Sequence, residues 1–97
     1  MIVNERETPE GRLVAVCDDE LLGETFDNDG VPFEVTEEFY GGEHAGEDRV
    51  VASLARARVA NIVGAHSVGL AVEHGFVEEA NVLDVGGTSH AQLVRLG

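Results

Sequence analysis

Lysine and tryptophan are absent from this sequence, and cysteine occurs once, tyrosine once and phenylalanine four times. With Cys17 alone no intramolecular disulfide can close and no disulfide-linked partner is expected, so a reducing compartment is the natural setting. No stretch approaches the roughly 20 apolar residues of a membrane span. Residues 1–7 carry neither a cationic leader nor an apolar run. A cytoplasmic protein that avoids membranes is the expectation.

The missing lysine is the most informative absence. All six basic residues are arginines, set against 19 acidic ones, for a formal net charge of −13. In dilute buffer such a charge repels itself. At molar ionic strength the Debye length falls to about 3 Å and salting-out strengthens apolar burial, so carboxylate crowding becomes tolerable. The pattern is that of a haloarchaeal cytosolic protein. An acidic nucleic-acid mimic has no reason to exclude lysine. Acidity does not exclude RNA as a partner either, because molar salt screens the long-range penalty.

What is present suffices for one domain. The chain has 97 residues, 43% of them hydrophobic but only 5% aromatic, which predicts a core of Val, Ala, Leu and Ile. Residues 1–4 and 12–17 read as strands joined through Thr8-Pro9-Glu10-Gly11. Asp18 offers an N-cap to a helical turn over 19–22, ended by Gly23. An acidic loop over 25–30 leads to a short strand over 31–35, and 36–42 reads as a second capped turn. Apolar residues recurring at three- and four-residue steps predict helix from about 47 to 74. Gly64 and Gly69 break it into two helices, or one kinked near 57–61. Gly75 ends the region, with Phe76 folding back on Ala71 or Val72. Strands over 82–85 and 91–96 close the chain through a loop containing Gly86 and Gly87. The order β-β-β-α-α-β-β predicts an α+β two-layer sandwich: an antiparallel or mixed sheet of about five strands with two helices on one face.

Chemical motifs are thin. Asp27-Asn28-Asp29-Gly30 opens like a calcium loop, but Thr25 and Thr36 stand where the first and last carboxylates belong. Gly64 to Gly69 has phosphate-loop glycine spacing, yet Leu70-Ala71 replace the lysine and hydroxyl. His44, His66, His74, His90 and Cys17 lack any paired ligand spacing, so no metal or other cofactor is expected. Thr88-Ser89-His90, with Asp18 or Asp84 as orienting acid, has the makings of a triad-like arrangement but reads more simply as a turn. In a lysine-free chain Arg49, Arg56 and Arg58 stand out, and Arg49 and Arg56 fall on one helical face, free to hold a phosphate or to pair with nearby acids.

Cys17-Asp18 with Leu21-Leu22-Gly23, Phe39-Tyr40 with Gly42, Ala60-Asn61-Ile62-Val63-Gly64, and His90-Ala91-Gln92 together resemble the small archaeal domain-of-unknown-function 424 family over nearly the whole chain. The lysine-free surface departs from non-halophilic relatives. The resemblance implies an archaeal origin and a compact α+β fold, and it carries no activity with it. Asn61, His90 and Gln92 are polar groups that converge if the last strand lies beside the Asn61 segment, either as a pocket or as a structural tie. Two function classes stay open. One is a non-enzymatic binding or accessory module meeting RNA or a translation-associated protein through Arg49, Arg56, Phe39 and Tyr40. The other is a small hydrolase- or transferase-like enzyme using His90 with Asp18, Cys17 or Ser89.

Overall fold

The computed structural model describes residues 1–96. Strands β1 (Ile2–Thr8) and β2 (Gly11–Cys17) form a hairpin across the two-residue turn Pro9-Glu10. β2 is followed by a 3₁₀ turn over Asp19–Leu21 and then by a second hairpin, β3 (Thr25–Asn28) and β4 (Val31–Glu34). The acidic loop expected before residue 31 is therefore a strand. Its turn, Asp29-Gly30, has positive φ at both residues, the geometry that a two-residue hairpin demands and that Asp-Gly supplies. Asp27 closes it by accepting the Gly30 N–H at 3.1 Å, so the calcium-like carboxylates serve a turn.

Helix α1 (Glu37–Tyr40) is a single turn whose cap Thr36 accepts the Phe39 N–H. A two-residue strand, β5 (Glu43–His44), precedes α2 (Glu47–Arg56). The expected kink is the principal correction: residues Val59–Val63 form a strand, β6, and α3 (Ala65–Glu73) begins after it. β6 lies inside the sheet between β2 and β8, with four of its five residues apolar and set on both faces, so its periodicity does not distinguish strand from helix. β7 (Leu83–Val85) and β8 (Thr88–Val94) are joined by Gly86-Gly87 alone, a tighter hairpin than the loop expected over 86–90. α3 ends as expected. Gly75 is left-handed, and the Phe76 N–H reaches back to the Ala71 carbonyl at 2.8 Å.

The architecture is α+β: a mixed six-stranded sheet in the order β5-β1-β2-β6-β8-β7, with the β3-β4 hairpin as a separate two-stranded sheet. Only the β2–β6 pair is parallel. Helices α2 and α3 cover one face, packing on Val3, Val14, Val16, Ala60, Ile62 and Ala91. The opposite face is covered over its upper half only, where Ile2, Ala15, Cys17 and Val63 meet Val35, Tyr40 and the hairpin phenylalanines. Among the described residues no helix is long and apolar enough to cross a membrane.

Candidate binding face

The carboxyl ends of the parallel pair β2 and β6 are the place where α/β folds commonly receive anions, because a following helix presents unpaired N–H groups there. Here Asp18 fills it. Asp18 makes no cap bond to the 3₁₀ turn beside it, contrary to the sequence expectation. Its carboxylate instead accepts the N–H groups of His66 (3.1 Å) and Ser67 (2.8 Å) and the Ser67 hydroxyl (2.7 Å), capping α3 from 48 residues away. Gly64, at φ +112°, has no room for a β-carbon beside that carboxylate. A phosphate at this helix end would meet an occupied cap.

The residues considered for acid–base or nucleophilic work do not assemble. Cys17 is buried, and burial first, then the neighbouring Asp18 charge, pushes its thiol up to about 11. His90 is half-buried against Phe33, ring centroids 5.2 Å apart, and burial holds its imidazole below the ordinary value. Among the described residues no side-chain hydrogen bond joins His90 to Asp18, Cys17 or Ser89, and Asp84 instead accepts the Gly87 N–H at 2.8 Å. His44 lies 3.6 Å from Asp19, His66 2.9 Å from Glu47 and His74 3.8 Å from Glu73. No three His, Cys, Asp or Glu side chains converge on a metal position among the described residues.

The arginines and rings proposed from sequence divide between opposite sides of the sheet. Arg49 and Arg56 share a helical face, as their spacing predicts, but that face turns to Glu5 of β1: one carboxylate oxygen takes the Ser53 hydroxyl at 2.5 Å, Arg49 at 3.1 Å and Arg56 at 2.9 Å. Phe39 and Tyr40 lie across the sheet, in edge contact at 5.0 Å, with Tyr40 buried.

Asn61, His90 and Gln92 do come together. Strand alternation puts them on the half-covered face, where Asn61 is the register partner of Gln92 and Val63 that of His90. Gln92 donates to the Asn61 carbonyl at 2.8 Å. Around this pair lies the lower half of the face, which among the described residues is covered only along its β1 edge, where Asn4 donates to the Gly41 carbonyl and Arg6 to the Glu38 carbonyl. Its strand positions are Asn4 and Arg6 on β1, Leu13 on β2, Val59 and Asn61 on β6, and Gln92 and Val94 on β8. Leu83 of β7 extends it beside His90. Leu83 and Val94 are 59% and 56% exposed, two of the four large hydrophobic side chains that the described residues expose. Two shallow hollows mark its ends, one of ≈ 230 Å³ over Leu13, Val59 and Arg58, the other of ≈ 330 Å³ beside Leu83, His90, Gln92 and Val94.

Charge sets this half-face apart. None of those strand positions is acidic, in a chain with 19 acidic residues. Among the described residues its two arginines also lack carboxylate partners. Arg6 donates to the Asn4 side chain and the Glu38 carbonyl and lies over the Phe39 ring at 5.3 Å. Arg58 is exposed and reaches only the Leu96 carbonyl, at 3.5 Å. Sequence reasoning singled out Arg58 with its helical neighbours but passed over Arg6, Leu13, Val59 and Val94. The alternation of β8 offered a signal, whereas β6 was hidden inside a helical period.

A family model described as protein of unknown function (DUF424) matches residues 5–96. The crystal structure of an uncharacterized conserved protein from Methanopyrus kandleri superposes with a TM-score of 0.79 at 24% identity, covering 99% of this chain and 94% of that one. At that identity the likeness is one of fold. No curated protein matches the chain.

Proposed function

The chain belongs to the DUF424 family, and from its sheet we propose a non-enzymatic binding or accessory module of a halophilic cytoplasm, with RNA or a translation-associated protein as partner. The observation that carries this reading is the half of the sheet face left open by α2, α3 and the β3-β4 hairpin: a surface of apolar and amide side chains with no carboxylate at the strand positions that face it. A small acidic domain gains nothing in stability from leaving Leu83 and Val94 in water, and exposed apolar surface ringed by polar groups is characteristic of contact sites. The chemical groups support binding over catalysis. Asp18 is consumed by a helix cap, the Cys17 thiol stays protonated at neutral pH, and His90 has an aromatic neighbour where a base needs an orienting acid.

Affinity capture from a cell extract in molar potassium chloride tests the reading, with the doubly substituted Gln92→Glu, Val94→Glu protein beside the wild type. Recovery of a defined RNA or translation component by the wild type alone is expected. Recovery of neither by the wild type would overturn it.

A further inference from the structure

We propose that the uncovered half-face is a seat for single-stranded nucleic acid, with Arg6 and Arg58 taking phosphates and the Asn61–Gln92 amide pair meeting base edges. The inference rests on reading this half-face as the module's contact surface, and it names the occupant by charge and shape.

Charge complementarity comes first. Three arginines spend their charge on the chain's own acids: Arg12 on Glu5 and Glu7, Arg49 on Glu5 and Glu43, and Arg56 on Glu5. Arg95 is turned inward onto the Leu54 and Ala57 carbonyls. Among the described residues Arg6 and Arg58 meet no acid: Arg6 is steadied by Asn4, the Glu38 carbonyl and the Phe39 ring with its charge left unneutralised, and both border the apolar floor made by Leu13 and Val59. Two strand spacings, about 10 Å, separate β1, which carries Arg6, from β6, which Arg58 immediately precedes. Cations that a strongly acidic chain leaves without an acid beside a floor whose own strand positions carry none fit an anionic occupant with charges set apart along its length. The acids of α2 and α3 lie across the sheet, a layer about 10 Å away, beyond the roughly 8 Å Debye length of physiological salt. Glu10 in the β1–β2 turn, Glu38 on α1 and Glu78 in the hollow beside Gln92 and Val94 stand at the rim, so an occupant is confined to the floor between them.

Shape and hydrogen bonding select the polymer. From β1 to β8 the floor is about 14 Å wide, room for two or three unstacked bases, the number a four-stranded sheet face receives in common RNA-binding modules. Leu13, Val59, Val94 and Leu83 offer apolar contact to the faces of bases. Because Gln92 donates to Asn61, the Asn61 amide group keeps its donors and the Gln92 carbonyl stays open as an acceptor. Every base carries an edge with a donor beside an acceptor, so the pair accepts bases without demanding one sequence. A duplex hides those edges and presents a convex backbone to a flat floor.

Fluorescence anisotropy of labelled oligonucleotides of roughly ten nucleotides is the test, a length spanning one small-domain site. Single-stranded RNA, single-stranded DNA of the same sequence and an RNA duplex are titrated at about 0.15 M and about 1 M potassium chloride. Binding of single strands is expected, weakened about tenfold by Arg58→Glu and by Gln92→Ala. Arg56→Gln, on the helix-covered side, should leave it unchanged. Preference for RNA over DNA would show that the 2′-hydroxyl is read, and equal binding that the phosphate and base chemistry suffices; either supports the proposal. It is overturned if single strands do not bind, if the duplex binds as tightly, or if both variants bind like the wild type. Should the oligonucleotides fail while the glutamate variants still abolish capture of a protein, this inference falls and the binding-module reading stands.

Discussion

At the level of single residues, the side chains that look most reactive are the ones most committed to holding the fold. Asp18 satisfies two N–H groups of α3 and a buried hydroxyl at once, so Asp18→Ala should cost about 1–2 kcal/mol for the cap and more for the stranded Ser67. Asp18→Asn should fall between, because its amide nitrogen faces one of those donors. Gly64→Ala places a methyl group against the same carboxylate at a left-handed φ and should lose at least about 2 kcal/mol. Urea unfolding of the three variants checks the order, and a Gly64→Ala protein as stable as wild type would contradict the packing. His90 gives a titration prediction. Burial disfavours its cation, so the unfolded chain binds a proton that the native imidazole resists, and stability is lost as the pH falls through the ordinary value of 6.5 toward the lower native one. Ring NMR should place the His90 midpoint below 6.5 and return it toward 6.5 in Phe33→Ala, which opens the ring to water. A midpoint at or above 6.5 in the wild type would mean that the half-buried seat against Phe33 is wrong.

Among the elements, the junction of α2 with β1 depends on one carboxylate. Glu5 receives Ser53, Arg49 and Arg56 on a single oxygen, and the Ser53 hydroxyl first, opposed by burial and then aided by the two arginines, holds its carboxyl below the ordinary 4.5. The native state therefore binds fewer protons here than the unfolded chain; the stabilisation is complete above about 4.5 and is lost as the pH falls through the native value. Glu5→Gln should destabilise at neutral pH by about 1–3 kcal/mol and flatten the acid limb of the stability curve. Thermal melts across that range decide it; parallel curves for mutant and wild type would remove Glu5 from the acid limb. The same elements show what a sequence conveys. The N-terminal hairpin, the Thr36 cap and the Gly75 stop were legible because each depends on local turn or cap chemistry. β6 was not, because Val59, Ile62 and Val63 put apolar side chains on both faces of an inner strand, and only long-range pairing with β2 and β8 distinguishes it from a helix. The convergence of Asn61 with His90 and Gln92 was anticipated as residues, while the surface they occupy depended on β6. The pairing of Arg49 and Arg56 with Glu5 was likewise out of reach, since it joins positions 44 and 51 residues apart.

Across the whole molecule, a lean interior and a crowded charge shell push the balance toward dependence on salt. The buried apolar set among the described residues contains nine valines and five alanines against one aromatic, Tyr40, so apolar burial per residue is small. Against it stand 19 carboxylates and six arginines, and among the described residues only Arg12, Arg49 and Arg56 of those arginines join ion pairs. Exposed pairs of this kind stabilise little, and the unpaired acids repel one another. Two effects of salt then separate by concentration and by ion. Screening is nearly complete by about 1 M, where the Debye length is about 3 Å, so a gain in melting temperature up to that point reports relief of repulsion. Any further gain must come from stronger apolar burial and should be larger in potassium sulfate than in chloride at equal ionic strength. A steep rise to molar potassium chloride followed by an ion-dependent slope is the expected profile. A melting temperature indifferent to salt would separate this charge shell from any role in brine.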